Sequence, residues 1–66
     1  MEISVNGQKK SFTAPLTIAG MLELLGINPK SVVVERNFQI VSRPEMETQS
    51  VEDGDAMEII RLVGGG

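Results

Sequence analysis

The sequence contains no cysteine and no histidine, and these two absences remove much of the chemistry open to a small protein. Without Cys there is no disulfide framework, no thiolate metal site and no thiol nucleophile. Without His as well, most nucleophile-base pairs and nearly all zinc sites are unavailable. Tryptophan and tyrosine are also missing, and the two phenylalanines are too few for a base-stacking platform. Positive charge is in deficit: six Lys and Arg against nine Asp and Glu leave a net charge of -3. That sign argues against a nucleic-acid partner, because affinity for phosphates comes from clustered Lys and Arg. No apolar run approaches the ~18 residues of a membrane-spanning helix, and no basic, Ser-rich or A-x-A-type leader is seen. The expectation is therefore a cytoplasmic protein with no membrane partner.

What is present is the composition of an ordinary globular domain, 41% apolar and 23% charged. At 66 residues the chain has room for one small core and none for a large internal active site.

The order of elements follows from periodicity. In "MEISV", Met1, Ile3 and Val5 alternate with polar residues, the pattern of a half-buried strand. Asn6-Gly7 then signals a hairpin, since a type I′ turn needs positive φ at both central residues. "QKKSFT" is the return strand, with Phe12 inward and Lys9 or Lys10 in solvent. Pro15 ends it and the period changes. Ile18, Met21, Leu22 and Leu25 fall at i, i+3, i+4 and i+7, one apolar helical stripe. Thr17 is its N-cap, Leu16 packs on Met21 as a hydrophobic staple, and Gly26 supplies the left-handed residue at its end. Gly20, standing where a capping box wants Glu or Gln, reads as a tolerated defect or as close packing.

After "INPKS", the stretch "VVVERNFQIV" reads as two short strands about a turn at Arg36 and Asn37. "SRPEMETQSVEDGD" reads as mostly loop with a tight turn at Asp53-Gly54-Asp55, and "AMEIIRLV" as a last strand with Met57 and Ile59 on one face and Glu58 on the other. One helix across a small sheet is the two-layer solution open to such a chain. The predicted fold is α+β, a β-grasp with a small mixed sheet of four to five strands and one helix packed across one face. It occupies residues 1–63, and residues 64–66 form a flexible C-terminal glycine tail. The expected core is Ile3, Val5, Phe12, Ile18, Met21, Leu22, Leu25, Val32, Val34, Ile40, Val51, Met57 and Ile59.

Candidate chemistry is sparse. Glu45 with Glu47, and Glu52 with Asp53 and Asp55, read as solvated turn carboxylates, because neither set has calcium-loop spacing or an evident pocket. Met21, Met46 and Met57 read as core fillers, and no metal site or bound cofactor is expected. The unusual feature is "LVGGG", Leu62 to Gly66. At the average glycine frequency, three in a row at one chosen place arise about three times in ten thousand. A frayed or engineered tail is one reading. The other is chemical: glycines without Cβ can extend through a channel too narrow for side chains, and the carboxylate of Gly66 becomes an acyl donor once a partner enzyme joins it to AMP from ATP. Ile60, Leu62 and Val63 cannot all face the core if Met57 and Ile59 do. They are expected, with Arg61, to form a partner-binding surface.

Along its full length the chain resembles the small sulfur carriers of thiamine biosynthesis, the ThiS family. The resemblance rests on "MEISVNGQ", "LTIAGMLELLGI", "VVVERNFQIV" and "VEDGDAMEIIRLVGGG", most specifically on Asp53-Gly54-Asp55, Glu58-Ile59-Ile60 and Gly65-Gly66 at their spacing. It implies a ubiquitin-like β-grasp that is not itself an enzyme but a protein co-substrate. A ThiF-type enzyme would adenylate Gly66 with ATP, and a cysteine-derived persulfide would supply sulfur for a C-terminal thiocarboxylate. Thiazole synthase of the ThiG type would then take that sulfur into the thiazole ring. Gly64 and Gly65 would thread the tail. The sulfur rides on the terminal carbonyl, so the carrier needs no cysteine of its own.

Three positions depart from the family pattern: Gly20, where Asp or Glu is common; Phe38, where Gly is frequent; and Met46, often aromatic. They bear on turn geometry and partner fit and leave the diglycine untouched. Other classes remain open at this level. A molybdopterin-type sulfur carrier usually runs longer and approaches its diglycine through a proline, absent from "IIRLVGGG". A ubiquitin-like modifier would pass through the same activated Gly66 to an amide, and a simple interaction module would carry an idle tail.

Overall fold

A computed structural model describes residues 1–63; the roles expected of Gly64, Gly65 and Gly66, and the flexible tail they were to form, lie outside the described residues. The chain opens as a hairpin of β1 (Glu2–Val5) and β2 (Gln8–Ser11), paired antiparallel from Glu2 opposite Ser11 to Val5 opposite Gln8. Asn6 and Gly7 have φ of 50° and 81°, the doubly left-handed backbone of a type I′ turn.

Helix α1 (Ile18–Leu24) starts where the Thr17 hydroxyl accepts the Gly20 N–H at 3.0 Å. At its other end Gly26, with φ of 73°, donates its N–H to the Glu23 carbonyl while Ile27 N–H reaches back to Leu22. These are the paired bonds of a Schellman motif. The odd Gly20 proves to be a matter of packing: a Cβ there would lie 3.0 Å from Leu16 Cδ1 and 3.2 Å from Thr17 Oγ1.

A single 3₁₀ turn (Pro29–Ser31) leads into β3 (Val32–Arg36), which pairs antiparallel with β4 (Gln39–Val41). The turn between them falls on Asn37 and Phe38, with φ of 50° and 70°, rather than on the expected Arg36 and Asn37. Moving a turn by one residue exchanges the faces of the strand that follows. Val41 therefore lies opposite Val34 and is buried, while Ile40, expected in the core, is 71% exposed.

A second correction concerns the stretch read as mostly loop, which contains helix α2 (Arg43–Thr48). Ser42 Oγ accepts the Glu45 N–H, and Glu45 Oε1 accepts the Ser42 N–H at 2.9 Å. This reciprocal pair is a capping box, and Pro44 fits inside it because the first N–H groups of a helix have no intrahelical partner. Six residues do not hold a helix alone; Met46, 2% exposed, ties this one to the core. Among the described residues there are thus two α-helices where one was expected.

Strand β5 (Ala56–Arg61) returns through the middle of the sheet, parallel to β1 and antiparallel to β3, giving the order β2-β1-β5-β3-β4. The mixed sheet has five strands. Ile3, Val5, Val32, Val34, Val41 and Met57 from the sheet pack with Ile18, Met21 and Leu22 of α1, and Met46 and Val51 complete the buried set. Phe12, Leu25 and Ile59, expected inside, are half-buried at its margin. The architecture is the predicted ubiquitin-like β-grasp.

Candidate functional site

The glycines follow the central strand by two residues, so the site begins with what holds β5. At its start, Asp53 Oδ1 accepts the Glu2 N–H at 2.7 Å. Gly54, at φ of 86°, donates its N–H to the Glu2 carbonyl at 2.8 Å, and Ser4 N–H reaches the Asp55 carbonyl at 3.0 Å. The Asp-Gly-Asp turn thereby sets the last strand beside the first.

Asp55 is buried and fully engaged. Its Oδ2 accepts from Arg36 Nη2 at 2.8 Å and from the Glu52 N–H at 2.9 Å, and its Oδ1 accepts from Asn37 Nδ2 at 3.1 Å. Burial alone would raise the pKa of this carboxyl. The bonds from Glu52, Asn37 and Arg36 outweigh it and hold the group below its ordinary value. The two aspartates are therefore bound by the protein's own donors, and Glu45 belongs to a helix cap. Among the described residues, no group of three or more acidic side chains is placed to hold a metal ion.

Two turn asparagines grip β5 from opposite sides. Asn37 Oδ1 accepts the Ala56 N–H at 2.9 Å; Asn6 Oδ1 accepts the Ile59 N–H at 2.7 Å, and its Nδ2 donates to the Ile59 carbonyl at 3.3 Å. Leu62 N–H donates to the Ser31 carbonyl at 2.9 Å. The strand is thus fixed on the domain up to the residue before Val63.

Around that anchor the surface is open and largely apolar. Ile60, Arg61, Leu62 and Val63, singled out from sequence as a partner surface, are all exposed, from 45% at Ile60 to 94% at Val63. Ile60 lies opposite Val33 on the sheet face away from α1. Sequence reading missed two residues there. Ile40, opposite Glu35, shares that face, and Phe38, 92% exposed, stands beside Glu35, Ala56 and Glu58. Both would have been found by placing the turn on Asn37-Phe38, which requires accepting a left-handed phenylalanine. Glu35 and Glu58 face each other across β3 and β5, and neither has an ion-pair partner among the described residues. No helix among the described residues is long and apolar enough to cross a membrane.

Comparison with known proteins gives this geometry a context. The chain is 38% identical over 66 residues to the thiazole synthase of Paramagnetospirillum magneticum, covering all of this chain and 20% of that protein. A second thiazole synthase, from Magnetococcus marinus, is 36% identical over the same span and is again covered to 20%. The chain thus spans about a fifth of the length of these relatives. The sulfur carrier protein ThiS of Bacillus subtilis is 36% identical over 50 residues, 76% of each chain. In three dimensions the domain superposes on the crystal structure of the thiamine biosynthesis protein ThiS from Geobacter metallireducens with a TM-score of 0.85, at 30% identity and with both chains fully covered. The profile of the ThiS family matches residues 3–66, from the first core residue of β1 through the closing glycines: the chain belongs to the ThiS family.

Proposed function

We propose that this chain is a sulfur carrier of thiamine biosynthesis, a protein co-substrate rather than an enzyme, with the carboxyl carbon of Gly66 as its working atom. The observation that carries the reading is the join between a firmly held strand and a glycine run. The hydrogen bonds of Asn6, Asn37 and Ser31 hold β5 on the domain up to Leu62, and the sequence continues from Val63 into Gly64, Gly65 and Gly66. A rigid body docks, and residues without Cβ enter a narrow site.

In this reading, a ThiF-type enzyme binds ATP and the Gly66 carboxylate attacks its α-phosphorus, releasing pyrophosphate. The terminal sulfur of a persulfide then attacks the acyl carbon and AMP leaves. A thiol takes the outer sulfur of the acyl disulfide, forming its own disulfide and freeing the thiocarboxylate. A ThiG-type thiazole synthase is the acceptor, in keeping with the two thiazole synthases that contain a region similar to this chain. Gly64 and Gly65 supply reach, and Ile60, Arg61, Leu62 and Val63 meet the partner. The chain itself binds no cofactor, and the reaction is assigned to the cytoplasm.

The test is intact-mass analysis of the 66-residue chain after incubation with a ThiF-type enzyme, ATP and a persulfide donor, followed by alkylation. The chain has no cysteine, so the thiocarboxylate is the one thiol-type group on it, and alkylation that requires prior incubation with enzyme, ATP and donor reports its formation. Deleting Gly66 should abolish alkylation and leave the unfolding midpoint unchanged. Thiazole synthesis that proceeds with no alkylatable species would refute the proposal.

A further inference from the structure

Strand β5 is longer than the strand beside it. β1 pairs with β5 only as far as Val5 opposite Met57, and the chain then turns away through Asn6 and Gly7. The Asn6 side chain takes over the next backbone groups, accepting from the N–H of Ile59 and donating to its carbonyl. Successive residues of a strand direct their N–H and C=O to opposite sides. Leu62 directs its N–H toward the β3 side, to Ser31, whereas Arg61, two residues beyond Ile59, directs both of its groups to the side that β1 has left. Among the described residues nothing pairs with Arg61 there. The result is a notch in the sheet, closed at one end by Asn6 and opening toward Val63.

An unpaired strand edge is a template for another extended backbone, and proteins commonly blunt such edges with proline or a bulge. Here neither is present, and the exposed residues around the notch include Leu62 and Val63. The glycines after Val63 reach at most about 11 Å when fully extended, so whatever fixes the backbone at residues 61 to 63 also sets the direction and depth at which Gly66 is presented. Side-chain contacts on the open sheet face orient the body. Backbone pairing at the notch would orient the tail.

We propose that the Arg61 edge accepts an extended backbone segment of the enzyme that activates the Gly66 carboxylate, which continues the sheet by strand addition where β1 stops. The proposal rests on the carrier reading given above. Its occupant is a partner strand rather than a side-chain pocket, and the recognition is through main-chain hydrogen bonds.

The proposal is tested by comparing Arg61→Pro with Arg61→Ala. Both remove the guanidinium, but only proline removes the N–H that faces the notch; the position suits proline because that N–H does not serve the ladder with β3. Arg61→Pro should bind a ThiF-type enzyme about tenfold more weakly than Arg61→Ala, the scale of one lost hydrogen bond. Amide exchange on the unmodified chain gives a second measurement that holds even if the proline variant does not fold. The Arg61 N–H should exchange freely in the isolated protein and become protected in the complex. Equal binding of the two variants, or an Arg61 amide as fast in the complex as in the free chain, overturns the proposal. So does concentration-dependent dimerisation abolished by Arg61→Pro, which would assign the edge to a second copy. Charging is read in the same reactions: a charged chain with an unprotected Arg61 amide removes the edge proposal alone, and a chain that neither binds nor is charged removes both.

Discussion

Replacing Phe38 by glycine should make this protein more stable, although it deletes an exposed aromatic side chain from the β3–β4 turn. Phe38 has φ of 70° and is 92% exposed. The left-handed backbone costs an L-residue about 1 to 2 kcal/mol, and a ring in solvent recovers almost none of this by burial. Glycine removes that cost and adds about 0.5 to 1 kcal/mol of backbone entropy lost on folding, so the centres of the two ranges give Phe38→Gly a gain of about 0.75 kcal/mol. For a domain of this size that corresponds to a rise of about 2 to 8 °C in the melting midpoint. Urea unfolding is the assay, with a higher midpoint and an unchanged slope as the expected pair of results. Phe38→Ala is the control, since alanine meets the same left-handed cost and should gain little. A lower midpoint for Phe38→Gly, or an equal gain for Phe38→Ala, would show that backbone strain is not what the phenylalanine imposes.

Three further predictions concern the polar groups that hold the ends of β5 and α2. The Asp55 carboxyl titrates below its ordinary value of 3.8 in the folded chain, so its stabilisation is present above that value and is lost as pH falls through the lower folded one. Unfolding free energy should drop as pH falls below about 5, and Asp55→Asn should flatten that part of the profile. Asp55→Ala leaves Arg36 without its 2.8 Å partner and should cost about 3 kcal/mol by urea unfolding; a loss under about 1 kcal/mol would make the pair a surface-type bridge. Ser42→Ala should cost about 1 kcal/mol and raise amide exchange in α2 ahead of the β-sheet. Uniform acceleration across the domain would contradict a local capping role.

Much of the architecture was legible because its signals are local. Thr17, Gly26 and the stripe from Ile18 to Leu25 specify a helix with both its ends, and Asn6-Gly7 specifies a hairpin, each from residues within a few positions of one another. The capping box of Ser42 and Glu45 was equally local and was passed over, since the acids and Pro44 around it resemble a loop. The Asn37-Phe38 turn resisted reading for a different reason. Phenylalanine disfavours a left-handed backbone, so local preference pointed one residue upstream, and that single step placed Ile40 in the core instead of Val41. What overrode the preference is long-range: Asn37 is held by Ala56 and Asp55, and Val34 by Val41 and Ile59.

The same division applies to the candidate site. Composition and order alone determined that this chain supplies no thiol or imidazole, that the domain is a two-layer α+β unit and that glycines follow the last strand, because these depend on residue identity and short-range periodicity. Tertiary structure decided that this strand lies at the centre of the sheet, that Asp53 and Asp55 bind the chain's own donors and that Asn6 stops the pairing at Ile59. Those outcomes depend on groups 18 to 53 residues apart in sequence, brought together only when β5 closes between β1 and β3.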